Sequence, residues 1–515
     1  MKRKTAGPVS QQNSGKIKKL EKLVERLNRI GVMLSAEKNT NNLIEMILKE
    51  SMEIASCDGG SIYVRTEKDG MAYLKFQATR NLSREFPFKE FFLPVDTKSI
   101  AGYCAYSGDS FNFKSMDDVP GLLGIKYNDF FDKQINYKTC NMLVIPMKDF
   151  EGEIVGVLQL LNKKTDIGIR LDTIEDFCNY IVPFTREEEE IILSLASQTA
   201  ILLERSKLME DIEKLFDAFV ESMVTTIEKR DPTTSGHSIR VARYIGKFAE
   251  AVNRTDYGKY KDLTFSEADI KELYYAGLLH DVGKIGVSES VLLKRDRLTP
   301  EELEVILYRI AYLKKELELK QVKGEIMPDE ADLLGNLDEY ARFISSINTK
   351  GFVTDEEQEK IRNVSSVQFT DINGMPGPLL TEHEVRNLTI KRGNLTEDER
   401  NQMNQHAAYT YQILKDIPWT KDLQEIPTIA AAHHEKLNGT GYPYRLTEER
   451  IPPQSKMLAI IDIFEALTAV DRPYKPAIPA DKALKIIEEE VSRNSLDKDL
   501  YEIFLKEELY NTCLK

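Results

Sequence analysis

Apolar residues recur at helical spacing from residue 17 to residue 33. Leu20, Leu23, Val24, Leu27 and Ile30, with charged residues between them, predict an amphipathic helix. A second helix is expected after Asn41 and Asn42, with Leu43, Ile44, Met46, Ile47 and Met52 on its apolar side. The period then changes to two. Residues 61–65 (SIYVR) and 72–78 (AYLKFQA) read as strands joined by a turn at Lys68, Asp69 and Gly70, and residues 141–147 and 154–163 read as a second hairpin. Helices at both ends of an antiparallel sheet define an α+β, sensor-like domain. Thr185 and Glu188 fit a capping box that opens a helix running to about residue 229. Along it Leu208, Ile212, Leu215, Phe219 and Met223 follow spacings of three and four, close to a heptad seam. Such a helix either pairs with its copy in a dimer or packs singly on its own domain. Its length and its place between two domains favour the dimer.

Composition narrows the class. A chain of 515 residues is too long for one ordinary core, so two or three domains are expected. With 42% hydrophobic and 30% charged residues the chain reads as a soluble globular protein. The net charge of −14 argues against broad nucleic-acid binding, which needs a basic face. No apolar run approaches the ~20 residues that span a bilayer, and the basic start (Lys2, Arg3, Lys4) is followed by a polar stretch rather than a signal peptide. Residues 1–14 read as a disordered tail. The five cysteines are scattered and form no C-x-x-C pair, which fits reduced thiols and a cytoplasmic location.

Candidate chemistry is concentrated in the second half. His237 stands near a helix start. An apolar, buried helix leads into His280-Asp281-Val-Gly-Lys284. An aspartate directly after a histidine can bridge two cations while the histidine binds one of them. Imidazole and carboxylate together suit divalent first-row ions such as iron and manganese. Lys284 falls on the helical face of Asp281, where it can meet a substrate phosphate as a point charge. A His-Asp pair alone is weak evidence. Further on, His406 sits on a helix over 401–414, and His433 and His434 follow an alanine-rich helix over 428–432. Asp462 sits in an apolar helix, where a lone buried carboxylate is costly without a cation. Together His237, His280, Asp281, His406, His433, His434 and Asp462 are enough for two metal ions with positions left for water and substrate. His383 is read as a surface histidine, because the other positions already complete the set.

Two family resemblances follow from these residues. Residues 152–163 (GEIVGVLQLLNK), preceded by IPMKD at 145–149, resemble the last hairpin of a GAF domain, and residues 99–104 resemble that family's mid-domain helix start. Residues 127–133 and 137–139 are similar to the GAF domains of cyclic-nucleotide phosphodiesterases. The resemblance makes Asn128, Asp132 and Lys133 either pocket contacts for a cyclic nucleotide or solvated loop residues. Pocket chemistry varies widely on one fold, which favours the second.

The metal set resembles the HD-GYP subgroup of HD-domain phosphohydrolases: His237, His280-Asp281-Val-Gly-Lys284, His406, His433-His434-Glu435, Gly441-Tyr442-Pro443, then Asp462 in D-x-F-x-A-L-T. It implies an all-α domain with a bi- or trinuclear iron or manganese centre, His280, Asp281 and Lys284 in catalysis, and hydrolysis of cyclic di-GMP to pGpG or GMP. It also implies substrate contacts from Lys284, Gly441, Tyr442, Pro443, Arg472 and Lys475, and a diguanylate cyclase-type partner at the G-Y-P loop.

Three departures stand out. Asn438 replaces the family's aspartate. Thr233 stands where some members carry a third-metal glutamate, which favours two ions. Residues 305–388 read as an inserted helical segment, with helices over 300–319, 333–347 and 355–364 and a break at 374–378. The expected organisation is a GAF sensor domain over 15–205 with an N-terminal helix, a connecting helix over 185–230, and the HD-GYP domain over 215–515. The rival readings are a binding module for cyclic di-GMP or a partner protein without strong turnover, and a hydrolase of another cyclic dinucleotide or nucleotide.

Overall fold

The computed structural model describes residues 25–26, 28–33, 39–85, 90–119, 121, 124–125, 127, 129–231, 236–371, 373–470 and 477–512. The expected tail over 1–14 and most of the helix over 17–33 lie outside these residues. The chain forms two compact units, Met1–Leu215 and Phe216–Lys515.

The first unit is built on a six-stranded sheet of order β3-β2-β1-β6-β5-β4. Its strands are β1 (Cys57–Lys68), β2 (Met71–Asn81), β3 (Phe92–Pro94), β4 (Phe111–Phe113), β5 (Met142–Lys148) and β6 (Ile154–Lys163), with every neighbour antiparallel. The period of two sorts its side chains onto two faces. Ile62, Leu143, Ile145, Leu158 and Leu160 join one core with α1 (Thr40–Ala55) and with Ile192, Leu195 and Ala196. Tyr63, Val144 and Val157 join the other with α2 (Ile100–Ser107). β1 begins four residues before its expected start, because Gly59 and Gly60 continue the strand instead of breaking it. A Cβ at Gly60 would come within 2.9 Å of Leu48, so a glycine lets α1 lie against the sheet. The edge strands β3 and β4, three residues each, carry too little alternation to be read from sequence.

Buried polar groups pin the sheet's end. Lys164 and Asp58 form an ion pair at 2.8 Å with both side chains fully buried, and Asp58 also accepts from Ser83 Oγ (2.7 Å) and Tyr137 Oη (2.8 Å). Satisfied on several sides, the pair offsets its desolvation.

α3 (Arg186–Arg230) is a 45-residue helix entered through the Thr185–Glu188 capping box, whose Thr185 N–H donates to Glu188 at 2.9 Å. The seam along it is exposed: Leu208 53%, Ile212 61%, Leu215 72% and Phe219 55%.

The second unit is largely helical. Its main core gathers Val220, Val224 and Ile227 of α3 with α4 (His237–Arg254), α5 (Glu267–Leu279) and later helices described below. A separate cluster from Leu298 to Leu388 is built by α6 (Pro300–Lys323), α7 (Pro328–Asn348) and α8 (Asp355–Ser365). Arg297, fully buried at the segment's start, donates to the carbonyls of Lys350 (2.9 Å) in its middle and Ile390 (2.5 Å) at its far end, so one guanidinium ties the three together. The all-helical expectation needs one correction: Gln368–Thr370 pairs with Pro376–Pro378 across the expected break, giving a small hairpin. His383 is exposed and pairs with Glu302 at 2.9 Å, on the surface as expected.

The longer helices that follow include α9 (Glu397–Leu414), α10 (Ile426–Ala431), α11 (Pro453–Thr468), α12 (Ala480–Ser492) and α13 (Lys498–Lys506). The last four contribute most of their buried side chains to the main core.

Candidate metal centre

Five elements bring the seven proposed ligands together. His237 opens α4, and His280 ends α5, with Asp281 leading into the 3-10 turn Val282–Gly286. His406 lies on α9, His433 and His434 follow α10, and Asp462 lies on α11. Their donor atoms form three overlapping groups: His237, His280 and Asp462; His280, Asp281 and His433; His406, His433 and His434. Within each group the atoms lie within 4.8 Å of one another.

Three of the imidazoles are set in the same way. Nδ1 of His280 meets the Gly277 carbonyl at 2.7 Å, Nδ1 of His406 the Met403 carbonyl at 2.7 Å, and Nδ1 of His433 the Ala430 carbonyl at 2.6 Å. A carbonyl only accepts, so the ring proton sits on Nδ1 and a lone pair on Nε2. All three Nε2 atoms are buried and without a hydrogen-bond partner. An unpartnered buried acceptor costs about 1–3 kcal/mol, and three converging with carboxylates fit a cation. Asp281 presents Oδ1 to His406 Nε2 at 3.5 Å and Oδ2 to His280 Nε2 at 3.6 Å, as suits a bridging carboxylate. Asp462 faces His237 Nε2 at 3.1 Å and His280 Nε2 at 3.8 Å through Oδ1, and His434 Nδ1 at 4.0 Å through Oδ2.

The electrostatics agree. Burial pushes the His433 pKa well below its ordinary value and that of His434 down to about 3, so both rings are neutral and free to donate lone pairs. Burial also lowers His406. Burial would raise Asp281, but the Lys284 ammonium beside it holds it well below the usual carboxylate range. At Asp462 burial is likewise overridden, here by the hydrogen bond with His237. His237 is the exception: burial disfavours its imidazolium, yet hydrogen bonds to Asp462 and Glu465 push it up to about 9.

Close backbone approach makes the cluster possible. A Cβ on Gly283 would stand 1.9 Å from the His406 carbonyl oxygen, so only glycine lets the turn after Asp281 lie on α9. Thr410 Oγ1 accepts the Gly283 N–H at 3.0 Å and donates to the His280 carbonyl at 2.9 Å. In the following loop, Glu435 accepts the N–H groups of Tyr444 (2.6 Å) and Leu446 (2.9 Å), and a Cβ on Gly441 would stand 2.3 Å from the Lys436 nitrogen. The loop therefore folds back on the His433–His434 pair, with Pro443 next in line and the Tyr442 ring 4.7 Å from that of His434.

A GAF domain model matches residues 39–203, one HD domain model matches 234–341 and a second matches 381–500. The chain carries a GAF domain followed by an HD domain. Curated relatives are 3'3'-cGAMP-specific phosphodiesterase 3 of Vibrio cholerae, 28% identical over 53% of this chain and 36% of that protein, and a cyclic di-GMP phosphodiesterase of the same organism, 26% identical over 62% and 45%. A cyclic di-GMP phosphodiesterase of Thermotoga maritima is 29% identical over 39% of this chain and 57% of that protein. The chain thus spans less than two thirds of the length of each. Solved structures similar to the GAF domain include that of an Acinetobacter phosphoenolpyruvate-protein phosphotransferase, 13% identical with a TM-score of 0.26 over 36% of this chain and 95% of that one.

Several HD-domain residues stand out only in the structure. Glu465, one turn after Asp462 and buried, meets His237 Nδ1 and accepts from Arg240 at 2.5 Å, fixing the ring. A second carboxylate in an apolar helix was its available signal. Buried Asp231 lies 3.2 Å from Lys284 Nζ, which is 2.7 Å from Asp281. Lys284 therefore lies between the Asp231 and Asp281 carboxylates. Arg472, Lys475 and Thr233 lie outside the described residues.

The GAF domain has a half-open cavity of about 240 Å³ lined by Tyr63, Phe76, Phe91, Tyr127, Asp132 and Gln159 among others. Asp132 accepts the Thr139 N–H (2.8 Å) and hydroxyl (2.9 Å), so its oxygens are largely engaged, and burial raises its pKa. Lys133 pairs with Asp129 at 2.8 Å on the exposed side and does not line the cavity, so it is solvated as expected, although it and Asp132 sit on a short helix, Phe130–Gln134, and not in a loop. Asn128 lies outside the described residues. No helix among the described residues is long and apolar enough to cross a membrane.

Proposed function

We propose that the chain hydrolyses cyclic di-GMP to pGpG or GMP at a binuclear iron or manganese centre, as an HD-GYP phosphodiesterase controlled by its GAF domain. The observation that carries the proposal is the convergence of three unpartnered Nε2 atoms on two carboxylates held ionised in a buried site. His237, His280, Asp281, His406, His433, His434 and Asp462 would hold the ions. When bound, two such ions polarise a phosphoryl oxygen and lower the pKa of an attacking water.

The chain's own groups supply the remainder. Asp281 and Asp462, ionised and each facing more than one imidazole, keep the ligand atoms in register. Lys284, held cationic by Asp281 and Asp231 against the cost of burial, adds positive charge where a phosphodiester would lie. Tyr442, whose pKa is raised by burial, stays a neutral hydroxyl beside His434 and can stack on or donate to the substrate. Gly441 and Pro443 shape the same rim, and Arg472 and Lys475 are proposed phosphate contacts.

Relatives named 3'3'-cGAMP-specific favour a second reading, the mixed cyclic dinucleotide as substrate. Rates for cyclic di-GMP and 3'3'-cGAMP, measured on anaerobic, metal-loaded protein, separate the two. A kcat/KM at least tenfold higher for 3'3'-cGAMP would overturn the first assignment.

The exposed Leu208–Ile212–Leu215–Phe219 seam supports pairing of α3 with a second copy of the chain. Sedimentation of the full chain tests it: a monomer at micromolar concentration would refute the dimer. The GAF cavity is the proposed small-ligand site, and the 438–445 loop the proposed surface for a diguanylate cyclase-type partner.

A further inference from the structure

The last turn of α3 ends in Glu228, Lys229 and Arg230, with Asp231 directly after it. Three of these four side chains reach segments that carry the proposed ligands. Glu228 accepts the Gly236 N–H at 2.8 Å and the Ser238 N–H at 3.3 Å, gripping the backbone on both sides of His237. The N-cap of α4 is Gly236, which has no side chain to cap with. A carboxylate from a separate helix therefore satisfies amides that α4 leaves open, and its charge suits the positive end of that helix. Arg230 donates to the carbonyls of Ile285 and of Val287 (2.9 Å), bracketing the end of the turn that follows Asp281. Asp231 adds its contact with Lys284. Lys229 is exposed and reaches none of these.

We infer that this turn spaces the two halves of the metal centre: Glu228 and Arg230 are positioning residues that hold His237 in register with His280 and Asp281, and tie that register to the helix that leaves the GAF domain. The inference rests on the metal-dependent reading of the site and adds a point of control to it. Two residues apart, Glu228 and Arg230 project about 200° apart around the helix, so one grips α4 while the other grips the turn. Rotation or axial shift at the end of α3 moves both grips at once. A displacement of ~1 Å in such a constellation costs on the order of 100-fold in rate.

The test is manganese titration of the chelator-treated full chain, with the electron paramagnetic resonance spectrum of the bound ion read alongside. Glu228→Ala and Arg230→Ala are each expected to weaken binding about 10–100-fold and to change the spectrum. Glu228→Gln keeps an oxygen that accepts and should recover most of the affinity. Lys229→Ala should match wild type. A lower melting temperature with wild-type affinity and spectrum would mean a merely structural role and overturn the inference. If an alanine variant does not fold, Arg230→Lys decides, because an ammonium cannot reproduce the guanidinium's two-armed grip on the Ile285 and Val287 carbonyls: weakened affinity with a changed spectrum supports the inference, and wild-type affinity and spectrum refute it. Nucleotide is absent from this experiment. Failure to hydrolyse any cyclic dinucleotide would therefore strike the proposed reaction alone, whereas failure of wild type to bind manganese would remove the metal reading itself.

Discussion

Gly283 lies so close to the backbone of His406 that a single added carbon would stand 1.9 Å from the His406 carbonyl oxygen. The contact seats the His280–Asp281 segment on α9 and brings two elements that carry proposed ligands close together. Gly283→Ala should force them apart, costing about 1–3 kcal/mol or more in stability and weakening metal binding together. Thermal unfolding and metal content of the variant check this, and wild-type values for both would refute the seating role.

Acid should compete with metal at one ligand more than at the others. His237 is raised from 6.5 to about 9 by Asp462 and Glu465 after the cost of burial, whereas His434 is lowered to about 3. A group raised on folding stabilises chelator-treated protein fully below pH 6.5, and the contribution is lost as pH rises through about 9. A cation on Nε2 must displace that proton, so metal affinity should rise up to tenfold per pH unit until about pH 9. Calorimetry in two buffers would register the released proton. Flat affinity from pH 6.5 to 9 would contradict the assignment of His237 as a ligand.

The fold and the ligands were legible in different ways. Alternation in 141–147 and 154–163 announced β5 and β6, and the capping box announced the start of α3, because local periodicity and local hydrogen bonds decide them. The seven proposed ligands were legible as a cluster because imidazoles and carboxylates in apolar helices have few other uses, and the fold brings them together. Glu465, Asp231 and Thr410 were not, since their roles depend on partners 50 or more residues away. The expected strand started at residue 61, yet close packing of Gly60 against α1 and of Gly59 against the neighbouring strands extends β1 back to Cys57. Lys284 read as a free phosphate contact because the carboxylate of Asp231 comes to it only in the fold.

Asn438 illustrates the same point. Its amide nitrogen donates to the Arg493 carbonyl at 3.1 Å while its oxygen accepts the Thr440 N–H at 3.1 Å and hydroxyl at 2.6 Å. An aspartate there would lose the donor. Asn438→Asp should cost about 0.5–1.5 kcal/mol and leave metal content unchanged. Loss of metal in that variant would show that the loop does more than brace the G-Y-P segment.

In the GAF domain the buried Lys164–Asp58 pair gives an independent check. Lys164→Met leaves the Asp58 carboxylate buried without its counter-charge and should destabilise that unit by ~3–5 kcal/mol. Denaturant unfolding measures the loss, with metal content unchanged. A loss under 1 kcal/mol would mean that water or a neighbour replaces the ammonium.

The most direct test is hydrolysis itself. Full-length protein, stripped with chelator and reloaded anaerobically with iron or manganese, is incubated with cyclic di-GMP and the products are resolved by chromatography. Linear pGpG or GMP should appear only after reloading, with two metal equivalents per chain, and the double variant His280→Ala/Asp281→Ala should lose both turnover and metal. Two bound equivalents with no linear product from cyclic di-GMP, or turnover that survives the double variant, would contradict the account.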